Sequence, residues 1–411
     1  MTNTITLTLT TMAHGGSAMG FDENGRPVFV PFAIPGEQVR AAVAEQKPHY
    51  ARAALLEVLQ PSAERVTPRC PHFGDCGGCH FQHMAYEAQL SAIPHIIADQ
   101  MSRIGGLDTV TVKPPIPHDP VWNYRAEVAL SPVPGGGLGF WSPAQRQVIP
   151  IEQCDLIRTE LMDCWRDVDL ELPELRKLTL RIGDDDALLA ALEVEDVEPP
   201  ELSVDFPISV AIVLPDQTAA SLVGDLYSVQ TIGGRDFRVS PGCYFAPNTA
   251  MRTAVLTTVL AQANLQGAEV VLDAYCGVGA FTAFLAEQAA QVIAVEVNED
   301  AVNDAVANLD HLDNVSLYQG WLEEVLPTLE SKPDVVVVDP PAKGLSVTAV
   351  QQIIALTPSK LIYVSEDIAT LARDSKHFTR AGYKLVEIQP LDTSPQTYHF
   401  HTVSLWQRAA S

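Results

Sequence analysis

From residue 265 onward, short apolar runs and helix-like segments alternate without a break, and this alternation restricts the fold more than any other feature of the chain. EVVLDAY, QVIAVEV, VSLYQ, DVVVVD, LIYVSE and YKLVEIQ are separated by segments such as DAVNDAVANLDHL and IATLARDSKHFTRAG, whose apolar residues recur at helical spacing. Strands that lack polar alternation are buried on both faces, and helices between them can only cover those faces. The expected product is a parallel, doubly wound α/β sheet that takes its ligand at the carboxyl ends of its strands. TVSLWQR is expected to add a last, antiparallel strand.

The first strand runs into Cys276-Gly277-Val278-Gly279-Ala280 and then the helix-like FTAFLAEQAA. Glycines at that turn let the backbone approach a ligand at a helix N-terminus. A dinucleotide site needs a third glycine where this chain has Thr282, which argues against a nicotinamide or flavin enzyme. Glu296 ends the next strand, placed to accept hydrogen bonds from the ribose hydroxyls of an adenosine, while Asp273 and Tyr275 flank the rest of the ligand. Asp339-Pro340-Pro341 follows the apolar run DVVVV, and consecutive prolines stiffen a loop facing an acceptor. Ala342 follows where an aromatic residue would stack on a base in enzymes that methylate exocyclic amines.

Upstream, residues 4 to 60 contain the strand-like runs ITLTLTTM, PVFVPF, QVRAAVAE and ARAALLEVL, broken by HGGSAMGF and IPGE. This pattern predicts a small five-stranded barrel of the OB type, a fold that is sometimes an RNA binder and sometimes only structural. YEAQLSAIPHIIADQMSRIGG reads as a helix stopped by Gly105-Gly106, and AEVALSPV, LGFWS, RQVIPI, KLTLRIG, LLAALEV and ISVAIVL as an antiparallel central domain. The seven cysteines (70, 76, 79, 154, 164, 243 and 276) are odd in number, and three fall within ten residues, which points to a metal rather than to disulfides. Three close thiolates and the remote Cys154 suit a [4Fe-4S] cluster or a four-cysteine zinc site equally on spacing; Cys164 and Cys243 read as buried apolar fillers.

Net charge restricts the partners. Residues 1–130 carry 9 Lys/Arg against 12 Asp/Glu, whereas the whole chain stands at −25, so contact with a polyanion is expected from the N-terminal third and not from a global field. No apolar run is long enough to span a bilayer and the start lacks signal-peptide character, so a cytoplasmic, monomeric protein is expected.

Taken in order, these motifs resemble the TRAM-domain RNA 5-methyluridine methyltransferases, which act on uracil C5 of tRNA or rRNA with S-adenosylmethionine and usually carry an iron-sulfur cluster. HGGSAMGF and VPFAIPGE look like the TRAM barrel, CPHFGDCGGCHFQHMAYEAQL like the cluster segment, PGCYFAPNTAM like the start of the catalytic domain, and DAYCGVGAF, DPPAKGL, ATLARD and PQTYH like its motifs. The resemblance implies a Rossmann-like class I methyltransferase domain (83–109 plus 241–411), a TRAM barrel (1–62) and a central domain with the cysteine segment (63–82 plus 110–240). It also implies cofactor binding by Tyr275, Gly277, Gly279, Glu296 and Asp339, a [4Fe-4S] cluster on Cys70, Cys76, Cys79 and Cys154 in preference to zinc, and RNA as partner.

The chemistry implied by the family needs a cysteine thiolate that adds to uracil C6 and a carboxylate that removes the C5 proton. At the matching positions this chain has Glu366, in Ser365-Glu366-Asp367-Ile368, and His401, in His399-Phe400-His401-Thr402. Ala246, Ala280 and Ala342 replace further polar residues of the pattern. Three readings follow: a catalytically silent RNA-binding member; a methyltransferase acting on an already nucleophilic atom, with Glu366, Asp367, Asp339 and His401 around the acceptor and a burial-raised carboxylate or the imidazole as base; or a uracil enzyme whose nucleophile has moved to Cys243 or Cys276. A fourth, a scaffold using the barrel alone, lies outside catalysis.

Overall fold

The computed structural model describes residues 4–408 except 169, 171, 196–203 and 216–217. Five strands close the N-terminal barrel in the order β1-β2-β3-β5-β4: β1 (Thr4–Met12), β2 (Ser17–Phe21), β3 (Pro27–Pro31), β4 (Gln38–Gln46) and β5 (Ala51–Gln60). Alternation in β1 turns Leu7 and Leu9 into the barrel and its threonines outward. In sequence HGGSAMGF reads as a break between strands, yet SAMGF is β2. Its Gly20 lies so close to β1 that a Cβ there would stand 2.4 Å from the Thr8 carbonyl oxygen. A glycine that reads as punctuation is here a close approach of two strands. Helix α1 (Tyr86–Gln100) continues through a π-turn (Met101–Gly105) and stops at Gly106 with φ +71, as expected from the glycine pair. The barrel, α1 and one face of the C-terminal sheet share one apolar core, which includes Val30, Ile97 and Tyr363.

The central sheet has seven strands in the order β12-β11-β10-β9-β6-β7-β8: β6 (Glu127–Pro132), β7 (Leu138–Ser142), β8 (Gln147–Pro150), β9 (Leu175–Ile182), β10 (Leu188–Val194), β11 (Ser209–Val213) and β12 (Ala219–Val223), with α2 (Thr159–Asp167) between β8 and β9. It is antiparallel as expected except for the β10–β11 pair, which is parallel. The chain between Val194 and Ser209 is far longer than a hairpin turn, which permits a crossover. A separate two-stranded ribbon, β13 (Ser228–Ile232) and β14 (Arg235–Val239), follows.

Helix α3 (Thr249–Ala263) leads into the alternating region: β15 (Val270–Ala274), α4 (Ala280–Ala286), β16 (Gln291–Glu296), α5 (Glu299–Leu309), β17 (Val315–Gln319), α6 (Leu322–Val325), β18 (Val335–Val338), α7 (Val347–Leu356), β19 (Lys360–Ser365), α8 (Ile368–Arg380), β20 (Tyr383–Leu391) and β21 (His401–Arg408). The sheet order is β17-β16-β15-β18-β19-β21-β20. The first five strands of that order are parallel, and β21 is antiparallel to both its neighbours. Strand order reverses between β15 and β18, which opens a crevice at their carboxyl ends. Bridges from Val112 and Ile116 to Ile388 and Leu391 cover part of the outer edge of β20. Among the described residues, no helix is long and apolar enough to cross a membrane.

Candidate active site

The crevice is built by the turn after β15. Tyr275 stands there at φ +64, a conformation that costs a non-glycine residue free energy and that local packing must hold. The Gly277 N–H donates to Glu296 Oε2 (3.0 Å), and Glu296 Oε1 accepts the N–H groups of Val297 and Asn298 (2.8 Å each). Glu296 thus locks the glycine turn to the end of β16. Gly279, at φ +87, precedes α4, and a Cβ there would lie 2.8 Å from Leu309 Cδ1. The missing side chain lets α5 pack against the turn.

Below the turn, Asp273 is fully buried and its Oδ2 accepts from Thr282 Oγ1 at 2.6 Å, while Oδ1 has no partner. Burial pushes this carboxyl up to about 6. Thr282, which spoke against a dinucleotide site in the sequence, is the hydroxyl donor that Asp273 relies on. Asp339 follows β18, its N–H donating to the Ala274 carbonyl (3.3 Å). Burial raises the Asp339 carboxyl to about 7; the neighbouring His401 works against the rise, and Glu366 and Asp273 add to it.

Facing this cradle, Glu366 Oε1 accepts from the Tyr244 hydroxyl and lies 3.3 Å from His401 Nε2. On its other side His401 Nδ1 pairs with Thr393 Oγ1 at 2.7 Å, and the Thr393 carbonyl accepts from Asn248 Nδ2 at 3.0 Å. Burial alone would raise the Glu366 carboxyl, but the bonds from His401 and Tyr244 outweigh it and hold it below the usual carboxylate range. The expectation of a burial-raised carboxylate therefore falls on Asp339, and Glu366 is its opposite, a carboxylate held ionised. Asp367 caps α8 by accepting the N–H groups of Ala369 and Thr370, and its other oxygen meets His14 of the barrel at 3.4 Å.

The cysteines proposed as relocated nucleophiles are poorly placed. Cys243 is 4% exposed, donates to Asp304 Oδ2 (3.4 Å), and has its thiol pushed up by burial and by Asp304. Burial likewise pushes up the Cys276 thiol. Neither thiol is poised as a thiolate.

Cys70, Cys76, Cys79 and Cys154 line one cavity of about 250 Å3, together with Arg125 and Trp141. All four are free and half-buried. Among the described residues, no three His, Cys, Asp or Glu side chains close on a single ion. Tetrahedral zinc at about 2.3 Å from each sulfur would need thiolates roughly 3.8 Å apart.

Residues 3–56 match the TRAM domain model and residues 225–409 the model described as tRNA (Uracil-5-)-methyltransferase. Uncharacterised RNA methyltransferases of Synechocystis sp. and Nostoc sp. are 34% and 32% identical to the chain. The first alignment covers 96% of this chain and 94% of the relative, the second 91% and 90%. The chain belongs to the TRAM-domain RNA (uracil-5-)-methyltransferase family. In solved structures, the tRNA (uracil-54, C5)-methyltransferase of Pyrococcus abyssi, in complex with S-adenosyl-L-homocysteine, superposes with a TM-score of 0.73 at 22% identity, covering 98% of this chain and 100% of that one. This likeness establishes the shared fold. The family consists of S-adenosylmethionine-dependent RNA methyltransferases.

The structure also brings in residues the motifs did not single out. Tyr244 reaches Glu366 across 122 positions of sequence, and Thr393 orients His401 from the loop before β21. PGCYFAPNTAM carried Tyr244 as part of a motif, but nothing local assigned it a partner.

Proposed function

We propose that this family member binds S-adenosylmethionine and RNA and does not methylate uracil C5 through a cysteine adduct. The observation that carries the reading is Glu366. Where a thiolate would have to add to C6, the side chain is an ionised carboxylate already engaged by Tyr244 and His401. Uracil C5 becomes nucleophilic only after such an addition. In the proposed cofactor site, Glu296 holds the ribose, Gly277 and Gly279 let the backbone approach it, and Tyr275 and Asp339 flank the methyl donor. RNA, a tRNA or rRNA, approaches along the barrel, whose Asp367–His14 contact borders the acceptor side.

A second reading has a specific observation behind it. Asp339, at about 7, exchanges its proton near neutrality and makes no side-chain hydrogen bond among the described residues. It suits a base for an acceptor that is already nucleophilic, such as a ring nitrogen or a hydroxyl. RNA containing 5-fluorouridine separates uracil chemistry from both readings, because a C6 thiol adduct methylated at that base cannot lose fluorine and stays covalently attached. With S-adenosylmethionine present, no such protein–RNA complex is expected on a denaturing gel. Its formation would sink the proposal.

The four cysteines around the 250 Å3 cavity are the proposed ligands of a [4Fe-4S] cluster, with zinc as the alternative. Such a centre would supply covalent ties between the cysteine segment and the central domain, cross-linking Cys70, Cys76 and Cys79 to Cys154. Iron and acid-labile sulfide in anaerobically purified protein test this assignment; stoichiometric zinc in colourless protein overturns it.

A further inference from the structure

Tyr244 leaves 70% of its surface exposed, yet its hydroxyl is fixed on Glu366 Oε1, just past the carboxyl end of β19. An aromatic ring tethered by its tip keeps an open face beside the acceptor side of the crevice. Unpaired RNA bases stack on faces of this kind and are then told apart by the hydrogen bonds along their edges. The groups beside Tyr244 therefore decide which base fits. Glu366 Oε1 accepts from Tyr244 and lies 3.3 Å from His401 Nε2, while His401 Nδ1 is turned to Thr393 at 2.7 Å. Tyr244 and His401 thus spend their hydrogens on Glu366 and have none left for a base on that side. His399, the other imidazole that Glu366 acts on, lies against Tyr398 with ring centroids 4.0 Å apart and has at most one N–H to give when neutral.

What stays open is an acceptor. Glu366 Oε2 has no partner among the described residues, and 29% of the side chain is exposed. A carboxylate oxygen offers two acceptor sites, and Asp339 beside it, when anionic, adds further ones. Uracil meets such a wall poorly. Its pairing edge sets one N–H between two carbonyl oxygens, each of which would face a carboxylate oxygen with no hydrogen between them. Adenine and cytosine each offer one amino group beside a ring nitrogen that accepts. Guanine alone of the four presents two adjacent donors, N1–H and the 2-amino group. We propose that the base held against Tyr244 in this crevice is guanine, with N1–H and the 2-amino group donating to Glu366 Oε2. The inference rests on the reading above that the chain binds RNA in this crevice, and it names the base that the crevice takes.

The test uses the full chain with S-adenosylhomocysteine present and fluorescently labelled RNA strands whose flanking positions are abasic spacers, so that one central base is the only one on offer. That base is guanine, hypoxanthine, adenine, cytosine or uracil, and affinity is read by anisotropy, with labelled tRNA and rRNA from the host as further probes. Wild type is expected to bind the guanine strand about 10- to 100-fold more tightly than the uracil strand, the discrimination of a two-donor base contact. Hypoxanthine, which lacks the 2-amino group, should fall between them. In Glu366→Gln the bonds from Tyr244 and His401 keep the amide oxygen, so the NH2 takes the place of Oε2 and an acceptor becomes a donor. Its preference should therefore reverse toward uracil, and Glu366→Ala, a second variant should the first not fold, should level the two. A wild-type preference for any other base, equal binding of all five strands, or binding of host RNA but of no strand overturns the guanine assignment and leaves the RNA-binding reading standing. A guanine preference that folded Glu366→Gln and Glu366→Ala both retain overturns the role of Glu366. Wild type that binds neither the strands nor host RNA takes down the RNA-binding reading, and the inference with it.

Discussion

Glu296→Gln is the sharpest probe of the cofactor cradle. The carboxylate already accepts three backbone N–H groups, two at Oε1 and one, from Gly277, at Oε2. A carboxylate offers about four acceptor sites, so roughly one remains, on Oε2, for a ribose hydroxyl. Glutamine can keep its oxygen on Val297 and Asn298 only by turning its NH2 toward the Gly277 N–H, donor against donor. The ribose then loses a charged acceptor worth about 1.5–3 kcal/mol, a loss of about 10- to 150-fold in affinity. Calorimetry with S-adenosylhomocysteine measures it, with a thermal melt to show that the variant is folded. Unchanged affinity in a folded variant would refute the ribose assignment and the reasoning from free lone pairs.

Thr282→Val removes the hydroxyl from the buried Asp273 and is expected to lower stability by about 1–3 kcal/mol in urea unfolding; an unchanged midpoint would contradict the pairing. Asp392 is 4% exposed, and burial raises its carboxyl from 3.8 to about 7. The folded state therefore holds this proton more tightly than the unfolded chain does, and wild-type stability should fall as pH rises from about 4 to about 7. Asp392→Asn should flatten that part of the profile by an amount on the order of 4 kcal/mol, read from unfolding at pH steps across the window; parallel profiles would rule out burial as the cause. Glu366→Cys combined with His401→Glu places a thiol and a carboxylate at the positions proposed for nucleophile and base and is expected to gain the covalent complex with 5-fluorouridine RNA. Persistent absence of adduct in a folded double variant that still binds RNA would mean that more than these two side chains has changed.

Much of the fold was legible because its signals are local. Strands buried on both faces leave runs such as VVVV, and β15 to β20 lie where those runs stand. Gly106 ends its helix as a glycine stop should. What was hidden depended on partners distant in sequence. The glycine of β2 reads as a turn until β1 lies against it, and the parallel β10–β11 pair cannot be told from an antiparallel one by alternation. In the site, Glu366 and His401 could be named from the chain as departures from the pattern that the family resemblance implies. The ionisation of Glu366 could not, because the Tyr244 bond that helps depress it comes from a segment on the far side of the domain's sequence.

The central claim, that Glu366 removes uracil C5 chemistry while the RNA methyltransferase scaffold persists, is tested most directly by nucleoside mass spectrometry of tRNA and rRNA from host cells with and without the gene. The account predicts identical 5-methyluridine in both, and loss of a different methylated nucleoside would select the reading in which Asp339 serves as base. Loss of 5-methyluridine on deletion, restored by the wild-type gene, would contradict it.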